Sequence, residues 1–596
     1  MAEFKNPNQG SGQSNSSLLV AMIVMVGVLF GVRWYAAKNG IQPGTPPAQT
    51  PSAQSAPAVA GSGAASGPAS VSAAPASVKA GATAAKPVNV VQAASEQTTT
   101  VENELYKITF SNRGGQVTSW VLKKFYDSRA KQLDMVHGPT AAKFGYPLSL
   151  KTYDEGTNAK LTQALYVASA TGAVAAPATL SFKFDDGVTA VTKTFTFDAT
   201  YVVHADTKVT VNGATLRALL AWPAGFGDQE NATHFASDQL DTNQGGKVEH
   251  VASKKVAAGA TLNGPFDWVG VSDMYFAAAF LPDNPATATV ISFNNSADIA
   301  KDETKPDAKI SVPVLGAAIG DTSGETRTRI YAGPKVVSVL KSVHATASSE
   351  TLEPLVDFGF FGPIAKGLFY ALHWIHDTLA SNWGWTIVLF TVIINLLMLP
   401  LRIKTMQSGL KMQRIQPQLD AVKAKYAKYK VTDPKRNEMN AEMMKVQKEH
   451  GVNMFGGCIP TLLTFPLLFA MFGMLPKVVE LRQAHWYWLH DLTAADPYHI
   501  LPIIMIASQF LVQFYTPSPG VDPAQQKMMA FMMPAFSGYM TWNYASGLAL
   551  YWSVGNLIMI TQQMVMNQTS LGKEMRALAL KRAAKKKGPT TIAGRR

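Results

Sequence analysis

Charge-free windows divide the chain before any motif is considered. A bilayer core needs about 20 apolar helical residues, because charge within hydrocarbon is costly. Residues 18–32 form an apolar run followed by Arg33, Trp34 and Tyr35, and residues 378–401, 451–476 and 497–521 carry no charge. The longest such window, 528–572, holds the turn-forming string Asn543-Tyr-Ala-Ser-Gly547 near its middle, which predicts two spans joined by a short loop. The pattern predicts six crossings, one near the amino end and five clustered in the last third. The first run reads as an uncleaved anchor, since no A-x-A site follows it directly.

Between the first and second crossings the pattern changes period. Leu180-Ser-Phe-Lys-Phe, Val191-Thr-Lys-Thr-Phe-Thr-Phe and the stretch from Tyr201 to Val211 alternate apolar and polar residues, as half-buried strands do. Turn residues separate them, so this region is expected to be an antiparallel β-sandwich. His204 and Asp206 lie two apart on one strand and read as solvent-facing polar residues, not as a ligand pair. Helical spacing returns at 361–380, where Ile364, Leu368, Leu372, Ile375 and Leu379 share a face suited to lying in a membrane interface.

The boundaries follow. A cytoplasmic amino terminus (1–17) precedes the first span (18–37), an Ala/Pro/Ser-rich linker (38–88), the β-domain (89–355) and the interfacial helix (356–380). The second span (381–401) leads into a cytoplasmic helical hairpin (402–452) and the third span (453–476). An outer loop (477–498), the fourth (499–516), fifth (528–544) and sixth (548–567) spans and a basic tail (568–596) complete the chain. The fold class expected is an α-helical polytopic membrane bundle of six spans, five forming its core, plus a large exocytoplasmic antiparallel β-sandwich domain.

Charge fixes the orientation. Segment 402–452 holds 12 Lys/Arg against 5 Asp/Glu, and segment 568–596 holds 9 against 1, whereas 36–380 holds 27 against 29. Basic loops stay in the cytoplasm, so the hairpin and tail are expected inside and the β-domain outside. Within the hairpin, Ile415, Leu419, Val422, Tyr426 and Tyr429 share an apolar face, and Asp433-Pro434 marks the start of its second helix.

Composition removes most chemistry. The single cysteine, Cys458, excludes an intramolecular disulfide framework and multi-cysteine metal sites. No catalytic constellation, metal-ligand cluster or cofactor motif is present. A transporter would show repeated halves and buried charges, and a 50-residue hairpin is too small to be a sensor's output domain. The spans nevertheless carry polar residues: Thr391 and Asn395 at i, i+4, then Thr464, Ser508 and Gln509, with Ser553, Asn556, Gln562 and Gln563 in the last. Such residues in lipid face a partner helix or water, and their number points to a shallow hydrated cavity. Eighteen of the 24 methionines lie between Met398 and Met566, which suits an adaptable apolar surface.

Several strings are specific. They include Asn382-Trp-Gly384, Met398-Leu-Pro-Leu, Gly456-Gly-Cys-Ile-Pro460, Val479-Glu-Leu-Arg-Gln-Ala, Leu489-His-Asp-Leu, Asp496-Pro-Tyr and Ser546-Gly-Leu-Ala-Leu-Tyr. Over residues 360–570 the chain resembles the YidC–Oxa–Alb family of membrane protein insertases, and the outer domain agrees in position, size and strand character. The resemblance implies a bacterial inner-membrane protein that inserts and folds newly made integral membrane proteins. It would do so through a hydrophilic groove open to cytoplasm and lipid, alone or with the Sec translocon, without a chemical reaction or cofactor. By the matching motifs Thr391, Asn395 and Thr464 would line the groove, with Ser508 and Gln509 among its polar residues. Leu468, Met505, Tyr539 and Trp552 would form an apolar slide. Implied partners are nascent membrane proteins, the lipid bilayer, Sec components and the ribosome, through the hairpin and tail. The family presents an arginine in the groove where this chain has Asn395; either Arg402, seven residues on and on the same helical face, reaches up and partly substitutes, or the groove relies on polarity alone. The alternative function is an assembly chaperone for membrane complexes, acting after insertion.

Overall fold

A computed structural model describes residues 90–302, 305–346, 348–429, 433–452, 459–515 and 523–587. The amino terminus, the first span predicted at 18–37 and the linker 38–88 lie outside the described residues.

Alternation in the outer domain becomes strands. Along Thr189–Phe197 every second side chain is buried, from Thr189 through Val191, Lys193 and Phe195 to Phe197. Its neighbour Ala178–Asp185 buries Leu180, Phe182 and Phe184. On its other side Val202–Val211 leaves His204 and Asp206 exposed, as the alternation predicts. These strands belong to an antiparallel ten-stranded sheet running from Lys247–Ala252 to Val167–Ala168. Two five-stranded sheets pack with it, one containing Tyr106–Ser111 and Gln116–Tyr126, the other the hairpin Ala288–Asp302 and Lys305–Asp321. Phe110 joins the first to the large sheet, its ring centroid 5.6, 5.2 and 5.9 Å from those of Phe182, Phe195 and Phe197. The predicted sandwich is present with two differences: three sheets share one core, and Thr98–Glu102 pairs in parallel with Gly172–Ala175.

Lys193 is the residue that alternation misplaces. It occupies an inward position and is fully buried. Its ammonium donates to the carbonyls of Gly114, Gly115 and Leu148 at 3.0, 2.7 and 2.6 Å. A turn with φ of +73° at Gly114 and +52° at Gly115 supplies the first two. Burial pushes the Lys193 ammonium down to about 7, so three acceptors offset a large desolvation cost.

The helical part begins with α1 (Gly362–Thr378) and turns through 119° into α2 (Trp383–Leu397). The face of α1 that is buried is Ala365, Phe369, Leu372 and Ile375, while Ile364 and Leu379 are exposed. That is a rotation of the expected face, set by packing against the helix Ile459–Met474. Asn382 caps α2, its side chain accepting from the amides of Gly384 and Trp385 at 3.0 and 3.3 Å. Gly384 is required there: a Cβ would lie 2.2 Å from the Trp486 ring.

The second span, expected to run to 401, ends at Leu397. Helix α3 (Leu399–Lys425) starts after Met398, with Pro400 in its first turn, where a missing N–H leaves no bond unmade. With α4 (Lys435–Glu449) it forms the hairpin, in which Ile415, Leu419, Val422 and Tyr426 pack against Met439, Met443, Val446 and Val452. Pro434 occupies the N-cap position of α4 instead of Asp433, whose side chain accepts from the Lys435 amide at 2.9 Å. There follow α5 (Ile459–Met474), α6 (Ile500–Tyr515), α7 (Pro523–Trp542), α8 (Ser546–Gln568) and α9 (Ser570–Lys587). Helix α6 packs against α7 and α8, and α8 also against α2.

Among the described residues no single helix is long and apolar enough to cross a membrane, although α1 and α2 together are. Helices α2, α5 and α6 have 15, 16 and 16 residues. At 1.5 Å per residue that is about 22–24 Å, short of a ~30 Å hydrocarbon core. Helix α8 reaches 23 residues but is diluted by Ser553, Asn556, Gln562, Gln563 and Asn567.

The loop between α5 and α6 ties the two parts together. Arg482 donates to the Tyr126 carbonyl at 2.7 Å and lies over the rings of Tyr275 and Phe276. Gln483 reaches the Asp127 carbonyl at 2.8 Å, and Val479 enters the core of the β-domain. Nearby, Asp228, Asp238 and Asp273 are buried, each with one carboxyl oxygen lacking a hydrogen-bond partner. Burial raises all three carboxyls. The charge of Asp228 raises Asp273 further, and that of Asp273 raises Asp238.

Candidate functional site

A polar seam runs where α2, α3 and α8 meet. Gly555 of α8 faces α2 there, and a Cβ at that position would meet Thr391 Cγ2 at 3.7 Å and Asn395 Nδ2 at 3.9 Å, ordinary packing distances. Thr391 Oγ1 donates to the Ile387 carbonyl at 2.7 Å, and Asn395 Nδ2 donates to the Thr391 carbonyl at 2.8 Å. Asn395 Oδ1 then accepts from Arg402 Nη2 at 3.0 Å. Arg402 Nη1 donates to Gln562 Oε1 at 2.6 Å, and Gln562 Nε2 donates to the Asn395 carbonyl at 3.3 Å. The expected reach of Arg402 to Asn395 is thus present. Met398 keeps near-helical dihedrals, φ −80° and ψ −10°, so the seven-residue spacing still leaves the two side chains on one side.

The predicted groove residues divide by position. Thr391 is fully enclosed and Asn395 is 8 % exposed, so neither lines an open cavity. The cause is local: the hydroxyl is satisfied by its own helix, and α8 packs over both. Arg402 and Gln562 are half-buried and form the accessible end of the seam. Ser508 and Gln509 belong to a second polar contact, between α6 and α8, where Asn556 Nδ2 donates to Ser508 Oγ at 3.1 Å. In it Gln509 Oε1 and Asn556 Oδ1 are buried without a partner. The side chain of Thr464 lies outside the described residues.

Of the predicted slide, Tyr539 is 64 % exposed and Leu468 and Trp552 are half-buried, but Met505 is wholly enclosed and faces the interior. Around them Leu397, Ile503, Phe531, Leu557 and Val565 are exposed, an apolar belt of the kind that marks a membrane surface. Trp374, Trp385, Tyr487, Tyr498 and Trp542, near the helix ends on the side of the β-domain, are exposed as well, as interfacial aromatics are.

Gln562, which the sequence reading counts among the polar residues of the last span without placing it in the groove, joins the seam. The signal that finds it is spacing: Gly555 and Gln562 are seven apart and share a helix face, which is the face turned to α2.

Comparison with known proteins agrees with this architecture. Residues 98–371 match the family described as YidC periplasmic domain, and residues 374–573 match the family described as 60Kd inner membrane protein. A membrane protein insertase YidC from Anaeromyxobacter dehalogenans (strain 2CP-C) is 32 % identical over 493 residues, covering 79 % of this chain and 85 % of the relative. One from Geobacter metallireducens (strain ATCC 53774 / DSM 7210 / GS-15) is 30 % identical over 581 residues, 93 % of this chain and 99 % of the relative. An active YidC insertase crystal structure with the first transmembrane domain resolved aligns with 82 % of this chain and 95 % of its own, at 18 % identity and a TM-score of 0.33. The two halves define a membrane protein with a periplasmic β-domain joined to a helical bundle. The chain belongs to the YidC family of membrane protein insertases, an inner-membrane family.

Proposed function

We propose that the chain inserts newly made integral membrane proteins by receiving their polar segments at the seam end formed by Arg402 and Gln562, with Asn395 behind them. The apolar part of the client moves along the neighbouring lipid-facing surface, with Leu468, Tyr539 and Trp552 as its slide. In this reading α2 and α5 to α8 cross the membrane and segment 18–37 is a sixth crossing. Basic α3, α4 and α9 lie in the cytoplasm, where they offer a surface to the ribosome, and the Sec translocon is a lateral partner. Short helices favour the process, since a bilayer thinned to match them lowers the cost of moving polar groups across. The observation that carries the proposal is a half-buried guanidinium held between neutral amides beneath an exposed apolar belt.

Depletion of the protein followed by pulse-labelling of small membrane proteins tests it. Newly made clients are expected to remain extractable by alkali. Normal membrane integration after full depletion would refute the proposal.

A further inference from the structure

We infer that His373 of α1 is a pH-sensitive clasp: it holds α1 to the loop between α5 and α6 when its imidazole carries two protons and lets go when it carries one.

Both ring nitrogens of His373 meet acceptors. Nδ1 lies 3.1 Å from the Phe369 carbonyl, and Nε2 lies 3.2 Å from Glu480 Oε1 in the loop. A neutral imidazole has a single N–H, so the trio closes only with one proton more than a neutral histidine and a carboxylate supply. The His373 and Glu480 side chains are 24 % and 20 % exposed, so water replaces a lost partner poorly. Among the described residues His373 is the one hydrogen-bond partner of the Glu480 side chain.

Helix α1 lies outside the spans proposed above. Burial opposes the charged imidazole, but the hydrogen bond and charge of Glu480, the Phe369 carbonyl and the Asp377 charge outweigh it and raise the group above its ordinary value. The clasp is therefore complete below about pH 6.5 and is lost as pH rises through the raised value.

The surroundings leave this titration to few groups. Helices α2 and α5, which pack on α1, carry no titratable side chain. In the loop, Lys477 donates to the Asp357 carbonyl and Arg482 to that of Tyr126. Earlier on α1, Lys366 pairs with Glu353 at 2.7 Å, and Tyr370 bridges Lys341 and Glu353 at 2.6 and 3.1 Å. Beyond His373, His376 lies 3.1 Å from Asp377 and stacks on Trp383, the first residue of α2, with centroids 3.8 Å apart. The His373 ring meets the same Trp383 at 5.0 Å. His373 thus sits where α1, the bend into α2 and the loop converge, and Arg482 and Gln483 bind that loop to the β-domain. Acidity on the β-domain side sets how firmly α1 is fixed.

Hydrogen exchange of the whole protein in lipid nanodiscs tests this, read at the α1 amides from Leu372 to Thr378. It is corrected for the intrinsic rate and followed from about pH 5 to about pH 9. Protection is expected to fall roughly tenfold across the histidine range, the scale of one charge-assisted hydrogen bond. His373→Lys keeps a charged donor throughout and should hold the high protection at both ends, whereas His373→Gln should hold the low protection at both. His376→Phe, which keeps the stack on Trp383, and Asp273→Asn, on the β-domain side of the loop, should leave the fall in place. A fall that persists in His373→Lys or His373→Gln, or vanishes in His376→Phe or Asp273→Asn, would overturn the clasp. So would uniform protection across the range in the unsubstituted protein.

Discussion

The β-domain and the helical bundle each bury charged or polar side chains, and they settle them in opposite ways. In the domain Lys193 is shut away from solvent and spends its ammonium protons on three backbone carbonyls. In the bundle Arg402 is half-open and spends two donors on amides. The first arrangement leaves little to offer a ligand and serves the fold. The second retains donors and a net charge at a half-buried position. A buried cation becomes functional when its holders are neutral and its access is incomplete.

The largest expected effect comes from breaking the closed case. Lys193→Met preserves side-chain bulk but strips three buried carbonyls of their donor, at about 1–3 kcal/mol for each group left unmade. Thermal unfolding of the whole protein in detergent, followed by near-ultraviolet circular dichroism, is expected to show the β-domain melting roughly 10 °C lower. An unchanged melt would mean that the lysine is dispensable, and the contrast would fail.

A smaller effect is expected at the joint between the two regions. Burial raises the carboxyls of Asp228, Asp238 and Asp273, so the folded joint holds protons more tightly than the unfolded chain. Its stability is complete below the ordinary carboxyl range near pH 4 and is lost as pH rises through the raised values. Arg482, whose charge opposes the rise at Asp228, Lys335, which donates to the Asp273 carbonyl at 3.0 Å, and Lys477 and Asp357 beside it set how far it loosens. Hydrogen exchange at Arg482 and Gln483 should quicken beyond the intrinsic rise as pH climbs above the ordinary carboxyl range, and Asp273→Asn should flatten that excess. Exchange following the intrinsic rate alone would show that the carboxyls do not govern the joint.

How much was visible beforehand differed between the regions for a physical reason. Period-two alternation located the strands from Leu180 to Val211 and set His204 and Asp206 outward, because each strand there has one buried face. It could not turn Lys193 inward, since the acceptors come from a glycine turn almost 80 residues away. In the bundle, charge-free windows located α2 and α5 to α8, yet placed the end of α2 beyond Met398, because Pro400 fits a helix start as well as an interior break. The same windows gave no measure of how closely α8 approaches α2. Thr391 therefore read as facing a cavity although α8 covers it, and Met505 read as boundary although it is enclosed. Arg402 was legible because helical spacing alone puts it on the face of Asn395. Gln562, from a distant helix, was not.

The central claim is that the seam is wet at Arg402 and Gln562 and dry at Thr391. With Cys458, the sole cysteine, replaced by serine, single cysteines at positions 402, 562 and 391 can be challenged in inverted vesicles with a membrane-impermeant maleimide. Rapid labelling at 402 and 562 and none at 391 is the predicted result; positions 402 and 562 as inert as 391 would contradict it.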